Sequence, residues 1–179
     1  MDQRQITPSL YSRKGTNRPE LLGGENGIPD GASTFTAHVF VVLTAGILVQ
    51  VASAATSSCG FCLDESKTST DIDPPTQFFG DRHFPVALEG QRFAISVTDA
   101  TGHFGEADGA PQMSEVTIGE MYGILKLADG THCLNVDNTT NDFFRVVEKP
   151  ASWNGIAQDA NAYNPVVIVE VVPAVIQGI

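Results

Sequence analysis

Leu127-Ala-Asp-Gly-Thr-His-Cys-Leu-Asn-Val136 is the stretch that decides how this chain reads. Asp129-Gly130 separates two apolar runs, and Asp-Gly is a dipeptide that a type I′ turn selects, because both central residues need positive φ. A two-residue loop would fix the register, setting Leu127 opposite His132, Lys126 opposite Cys133 and Leu125 opposite Leu134. Leu125, Leu127, His132 and Leu134 then share one face, the predicted core face, while Lys126 and Cys133 share the other.

The same grammar continues on both sides. Phe93, Ile95 and Val97 alternate with Arg92, Ala94, Ser96 and Thr98, the two-residue period of a strand with one wet face. A turn at Glu89-Gly90 precedes it, with residues 84–88 as the strand before. Downstream, residues 143–147 make a short strand and Asn154-Gly155 marks a turn in a polar stretch. Residues 166–172 carry Glu170 as their only charge, so this strand is predicted to be buried on both faces. Pro173 ends its ladder and confines residues 174–177 to an edge or a turn. One short helix is predicted within residues 111–121.

No Asp, Glu, Lys or Arg falls between Asp30 and Asp64. The centre of that span, residues 39–51, has the composition of a membrane segment or a late signal peptide, with Ala52, Ser53 and Ala54 resembling a cleavage site. Against this stand His38, Thr44 and Gln50, the Val and Ile content, and the acidic residues between the apolar run and the upstream basic ones. Two buried strands, residues 38–43 and 47–51 joined near Ala45 and Gly46, fit better. The expected fold is mainly β: an antiparallel barrel or sandwich, jelly-roll or β-tulip-like, over residues 33–179. Residues 1–32 hold three prolines and five glycines with little apolar periodicity and are predicted to be an extended arm. The arm has too little apolar surface to order itself, so a neighbouring subunit is expected to hold it; packing on its own domain is the alternative.

The 179 residues suffice for one domain with a real core. Ten Lys and Arg against 21 Asp and Glu give a net charge of −11, which argues against nucleic acid as a partner. The arm is balanced, since Arg4, Arg13, Lys14 and Arg18 offset Asp2, Glu20, Glu25 and Asp30.

Cys59-Gly-Phe-Cys62 has the spacing of a redox dithiol, but that chemistry needs a helix N-terminus to stabilise the thiolate, and no βαβ pattern surrounds it. A zinc site would draw on Cys59, Cys62, Cys133 and either His132 or His83; a single C-x-x-C signals this weakly. Reduced structural thiols are the simpler reading. His83 beside Asp81 and Arg82, and His103 near Glu106 and Asp108, are conceivable acids or bases with no nucleophile tied to them by spacing. Asp64, Glu65, Asp71 and Asp73 lack the spacing of a calcium loop. Asn138-Thr139-Thr140 matches a glycosylation sequon, which matters only in a secreted eukaryotic protein.

The succession GILVQVAS (residues 46–53), EGQRFAISVTD (89–99), LADGTHCLNV (127–136) and VVIVEVVPAVIQGI (166–179) resembles the capsid decoration, or cement, proteins of tailed bacteriophages. The resemblance lies in composition and strand order across residues 38–179. It implies a non-enzymatic, cofactor-free β subunit on the capsid surface of a virion, binding the major capsid protein and its own copies as a dimer or trimer. On that reading the expected contact residues are Arg4, Arg13, Lys14 and Arg18 of the arm, and Val172, Ile176 and Ile179 at the apolar end. The alternatives are another virion module such as a fibre or glycan-binding adhesin, a CxxC redox or zinc protein, and a membrane-anchored domain.

Overall fold

Turn chemistry and β-branched content divide the chain into short strands, seen in a computed structural model that describes residues 8–11, 22, 28–29, 35–63, 82–83 and 85–177. In chain order these are β1 (Ser9–Leu10), β2 (Ile28–Pro29), β3 (Val39–Thr44), β4 (Ile47–Gln50), β5 (Gly60–Cys62), β6 (Arg82–His83), β7 (Arg92–Thr98), β8 (Met121–Lys126), β9 (His132–Asn135), β10 (Phe144–Glu148), β11 (Ser152–Trp153), β12 (Ile156–Ala157) and β13 (Val166–Val171). Helix among the described residues is confined to 3-10 turns such as Met113–Glu115 and Pro173–Val175.

Strands β7, β13, β10, β8 and β9 close into a barrel. The closing pair, β9 with β7, is parallel through Val97 opposite Leu134 and Thr98 opposite Asn135, so the barrel is mixed where an all-antiparallel one was expected. A second sheet, β4-β3-β5, packs against it. As expected of the apolar run, β3 and β4 form a hairpin; Ala45 (φ 52°) and Gly46 (φ 83°) both take the positive φ of a type I′ turn. No helix among the described residues is long and apolar enough to cross a membrane.

β13 is the buried strand its composition predicts, lying between β7 and β10. Its neighbour β10 carries a bulge between Val146 and Glu148, which frees Val147 to pack on the outside of the barrel with Ala94, Val166 and Ile168. Inside, Phe93, Ile95, Val97, Ile124, Leu134, Phe144, Val146, Val167 and Val169 form one core with Phe40 and Phe61 from the second sheet. Phe40 is the hub. Its ring lies 5.0 to 5.7 Å from those of Phe61, Phe93, Phe143 and Phe144.

Three expectations need correction. The Asp129-Gly130 hairpin has a three-residue loop: the Leu127 N–H donates to the Thr131 carbonyl (2.8 Å), the Gly130 N–H donates to the Leu127 carbonyl (3.0 Å), and only Gly130 (φ 88°) has positive φ. The register therefore slips by one, with Ile124 opposite Leu134 and Lys126 opposite His132. Leu134 and His132 keep the core face, but Leu125 and Leu127 turn to the other side with Cys133, as a one-residue slip requires. The wet face of β7 is dry as well, since Ala94, Ser96 and Thr98 are all buried. Tyr11 and Trp153 cover part of it, with ring centroids 6.4 Å apart.

The strand foreseen at residues 84–88 reduces to an isolated bridge from Val86 to Phe61, Phe84 lying outside the described residues. The described parts of the arm follow the alternative of packing on their own domain. Ser9 and Leu10 pair with Ala94 and Phe93, the Tyr11 N–H donates to the Arg92 carbonyl (2.7 Å), and Ile28–Pro29 pairs with Arg82–His83. β1 lies beside β7 at residues 93–94, while β9 pairs only at residues 97–98.

Gly130→Ala is expected to lower stability by about 1–2 kcal/mol, the cost of forcing positive φ on a residue with a Cβ. The loss should exceed that of Gly46→Ala. A Cβ at Gly130 would lie 3.3 Å from Thr36 Oγ1, whereas one at Gly46 meets nothing within 4 Å. Urea unfolding midpoints of the two variants check this, and the reverse order would contradict the turn.

Candidate functional site: the hairpin seam and the buried thiols

Chemistry-bearing side chains gather where the β8–β9 hairpin meets the β3–β4 hairpin. The three-residue loop shortens β9 so that His132 becomes its first residue and points inward, fully buried. Its Nδ1 accepts the Phe40 N–H at 3.1 Å, and Nε2 lies 2.8 Å from the Val51 carbonyl. With one nitrogen accepting and the other donating, the ring is the neutral Nε2–H tautomer. Burial is the main cause holding its pKa down to about 4; the Lys126 charge acts in the same direction and the Val51 carbonyl opposes it. Around it, Gln50 Nε2 donates to the Gly130 carbonyl, Ser53 Oγ accepts the Lys126 N–H (3.0 Å), and the Ala54 N–H donates to the Ile124 carbonyl (2.9 Å).

Both His132 nitrogens are thus engaged by backbone, and the ring is no metal ligand in this arrangement. Cys133 faces the opposite side of β9 from His132. Cys59 and Cys62 lie with Phe35, Val39, Val41 and Leu48 in a second apolar cluster, and Cys62 sits directly across from Val39. All three cysteines are buried, and none is in a disulfide. The C-x-x-C runs into strand β5 where a redox motif would open a helix. Burial pushes the Cys59 thiol up to about 11 and the Cys133 thiol up to about 12, with the Asp129 charge adding to the latter. A raised thiol is the opposite of an activated one. Among the described residues no three His, Cys, Asp or Glu side chains converge as a metal set.

His103 sits in an exposed loop, its Nδ1 2.7 Å from Asp99 Oδ2. Asp99 anchors that loop. Its carboxylate accepts the backbone N–H groups of Thr101 and His103, each at 3.0 Å, and the Thr101 hydroxyl. Burial alone would raise its pKa; the hydrogen bonds together outweigh it and hold the group below the ordinary carboxylate value. The side chain of His83 and the acidic run Asp64 to Asp73 lie outside the described residues. Asn138 is committed to its own loop, where Oδ1 accepts the N–H groups of Thr140 and Asn141 and the side chain packs on Gly123.

Of the expected contact residues, Arg4, Arg13, Lys14, Arg18 and Ile179 lie outside the described residues. Val172 is only 8% exposed and belongs to the barrel core, so its apolar surface is taken up within the chain. Ile176 is half-buried beside it. Together with Leu88, Arg145, Glu170 and Pro173 they line a cavity of about 90 Å³, far below the roughly 300–1,000 Å³ of small-molecule sites.

Three polar clamps were missed in the sequence. Gln158 brackets Val166, its Oε1 accepting the Val166 N–H (2.6 Å) and its Nε2 donating to the Val166 carbonyl (3.1 Å). Asn164, at φ 43°, donates to the carbonyls of Val97 (3.0 Å) and His103 (2.9 Å). Gln177 pairs its amide with both backbone groups of Leu43. An Asn before Pro165, which favours a turn, was the only available signal.

No protein-family model matches the chain, and neither a curated protein nor a solved structure matches it.

The thiols give a direct check. In the native protein at about pH 8, Cys59 and Cys133 are expected to react with a disulfide reagent at least about a hundredfold more slowly than a free thiol, because so little thiolate is present. All three cysteines should react fully in denaturant. Fast native labelling at Cys59 would restore the redox reading.

Proposed function

We propose that this protein is a structural virion subunit, a phage head decoration protein that sits on the outer capsid surface and braces neighbouring capsomers as a dimer or trimer. The observation that carries the reading is the docking of β1 as an added strand on β7, with Tyr11 against Trp153. Strand addition is a general mode of protein recognition: backbone hydrogen bonds supply affinity and alternate side chains supply fit. The chain therefore has a β surface that accepts an extended segment, and a sequence that provides one.

Charge supports the same reading. Arg4, Arg13, Lys14 and Arg18 bracket the docked segment in sequence, while the rest of the chain sets six basic residues against seventeen acidic ones. Residues 1–18, which carry those four basic groups and Asp2 as their only acid, are complementary to the acidic domain of another copy. On a repeating shell such contacts multiply. Each is modest in area, but tethered copies bind at high effective concentration, so shell stability rises without any single tight site. The groups that resembled catalytic or metal-binding ones, His132 and the three thiols, serve packing and backbone satisfaction in this reading.

Co-sedimentation with shells assembled from a major capsid protein of the same genome tests the proposal. Saturable binding at a fixed ratio of copies per capsomer is the expected outcome, and pelleting no greater than in a shell-free control would overturn it. Reversing Arg4, Arg13, Lys14 and Arg18 to Glu is expected to lower occupancy and flatten its dependence on salt, because the lost contacts are electrostatic.

A further inference from the structure

His132 joins two sheets that no strand pairing joins at that point. The ring comes from β9 of the barrel, and both of its partners, Phe40 and Val51, come from the β3–β4 hairpin. We propose that His132 is an acid-released latch: a second proton on its ring opens the seam between the β3–β4 hairpin and the barrel while the barrel stays closed.

The geometry gives the reason. Nδ1 is an acceptor for the Phe40 N–H, so a proton placed there sets donor against donor and orphans a buried backbone N–H. It also leaves a cation inside an aromatic cluster, with Phe40 5.8 Å away. The charged and titratable groups around the ring give no relief. Strand β8 presents Lys126, directly opposite in register and of the same sign. The loop presents Asp129, whose carboxylate accepts the Thr131 N–H. Cys133 follows on the far face, His38 precedes β3 and is exposed, and the strands β3 and β4 contain no titratable side chain.

The other ties across the seam, Gln50 to Gly130, Ser53 to Lys126 and Ala54 to Ile124, use amides, a hydroxyl and backbone groups. None of these gains or loses a proton in the acid range. The barrel's own ladders, β7 with β13 and β13 with β10, do not involve His132.

The direction of the pH effect follows from which state takes the proton. In the opened seam the imidazole is solvated and protonates near its ordinary 6.5; in the closed seam burial holds it at about 4. The open state therefore binds more protons throughout that window. Opening becomes more favourable by about tenfold per pH unit as pH falls from about 6.5 towards about 4, and is independent of pH above it.

Hydrogen exchange of the full-length protein, corrected for the intrinsic rate at each pH, tests the latch. Between about pH 6 and about pH 4.5, protection of the Phe40 and Ala54 amides, which bond across the seam, is expected to fall about tenfold per unit, while β7 and β13 amides stay protected. His132→Gln retains a donor and an acceptor without a titrating proton, so its protection at those seam amides should be nearly flat over the same range. The same pH dependence in His132→Gln, or joint loss of protection at the seam amides and in the barrel, would overturn the proposal. Should that variant fail to fold, the ring nitrogen shifts of wild-type His132 decide. Protonation in step with seam opening supports the latch, and titration near the ordinary value with the Phe40 and Ala54 amides still protected refutes it.

Discussion

Phe40 is the point on which the two sheets agree. Its side chain completes the aromatic cluster of the barrel, its strand pairs with β5 so that Phe61 lies directly opposite, and its N–H is bonded to His132. Neither sheet alone would bury those rings. Removing Phe40 would cost about 3–5 kcal/mol by cavity formation alone, a large share of the stability of an ordinary domain. The arrangement also explains why β3 must be apolar on both faces: Phe40 faces the barrel, while Val39 and Val41 build the separate cluster with Cys59 and Cys62.

A small mixed barrel closed by one short parallel pair leaves backbone groups unpaired wherever a strand stops early. Buried and half-buried polar side chains stand at those places. Gln158 pairs with both backbone groups of Val166, Asn164 takes the Val97 carbonyl, and Gln177 occupies the edge of β3 beyond β5. Each unsatisfied buried group would cost about 1–3 kcal/mol, so these amides are structural parts of the sheet. His132 belongs to the same set, with one difference: it alone among them can take up a proton.

Legibility in the sequence followed locality. Strand β13 was readable because a six-residue strand with Glu170 as its only charge, close before Pro173, has few alternatives, and the β3–β4 hairpin because Ala45-Gly46 interrupts a β-branched run. Asn154-Gly155, read only as a turn, is a two-residue hairpin loop with positive φ at both positions. Asp129-Gly130 went the other way. Asp129 keeps negative φ and binds the Thr131 N–H, so the loop gains a residue and the faces exchange. Dipeptide identity does not distinguish these loops; the neighbours do, since Gly130 is buried against Thr36 and Gln50. The burial of Ala94, Ser96 and Thr98 was invisible for a similar reason, because part of the cover comes from Tyr11 and Trp153, far away in sequence.

The proposed site was the least legible part, and the structure changes which residues are suited to it. Val172, apolar and next to Pro173, is core. The β11–β12 hairpin is the stronger place for a contact. Trp153 and Ile156 are directly opposite and share one face; Trp153 covers the docked arm, while Ile156 keeps 38% of its surface exposed. An arm arriving from another copy would meet the same β7 edge and the same indole as the chain's own β1. Own-chain docking and exchange between copies therefore use identical contacts and differ in free energy mainly through effective concentration, which a crowded repeating surface raises. On the proposed virion reading, a chain that docks its own arm needs no further surface to exchange it with an arrayed copy.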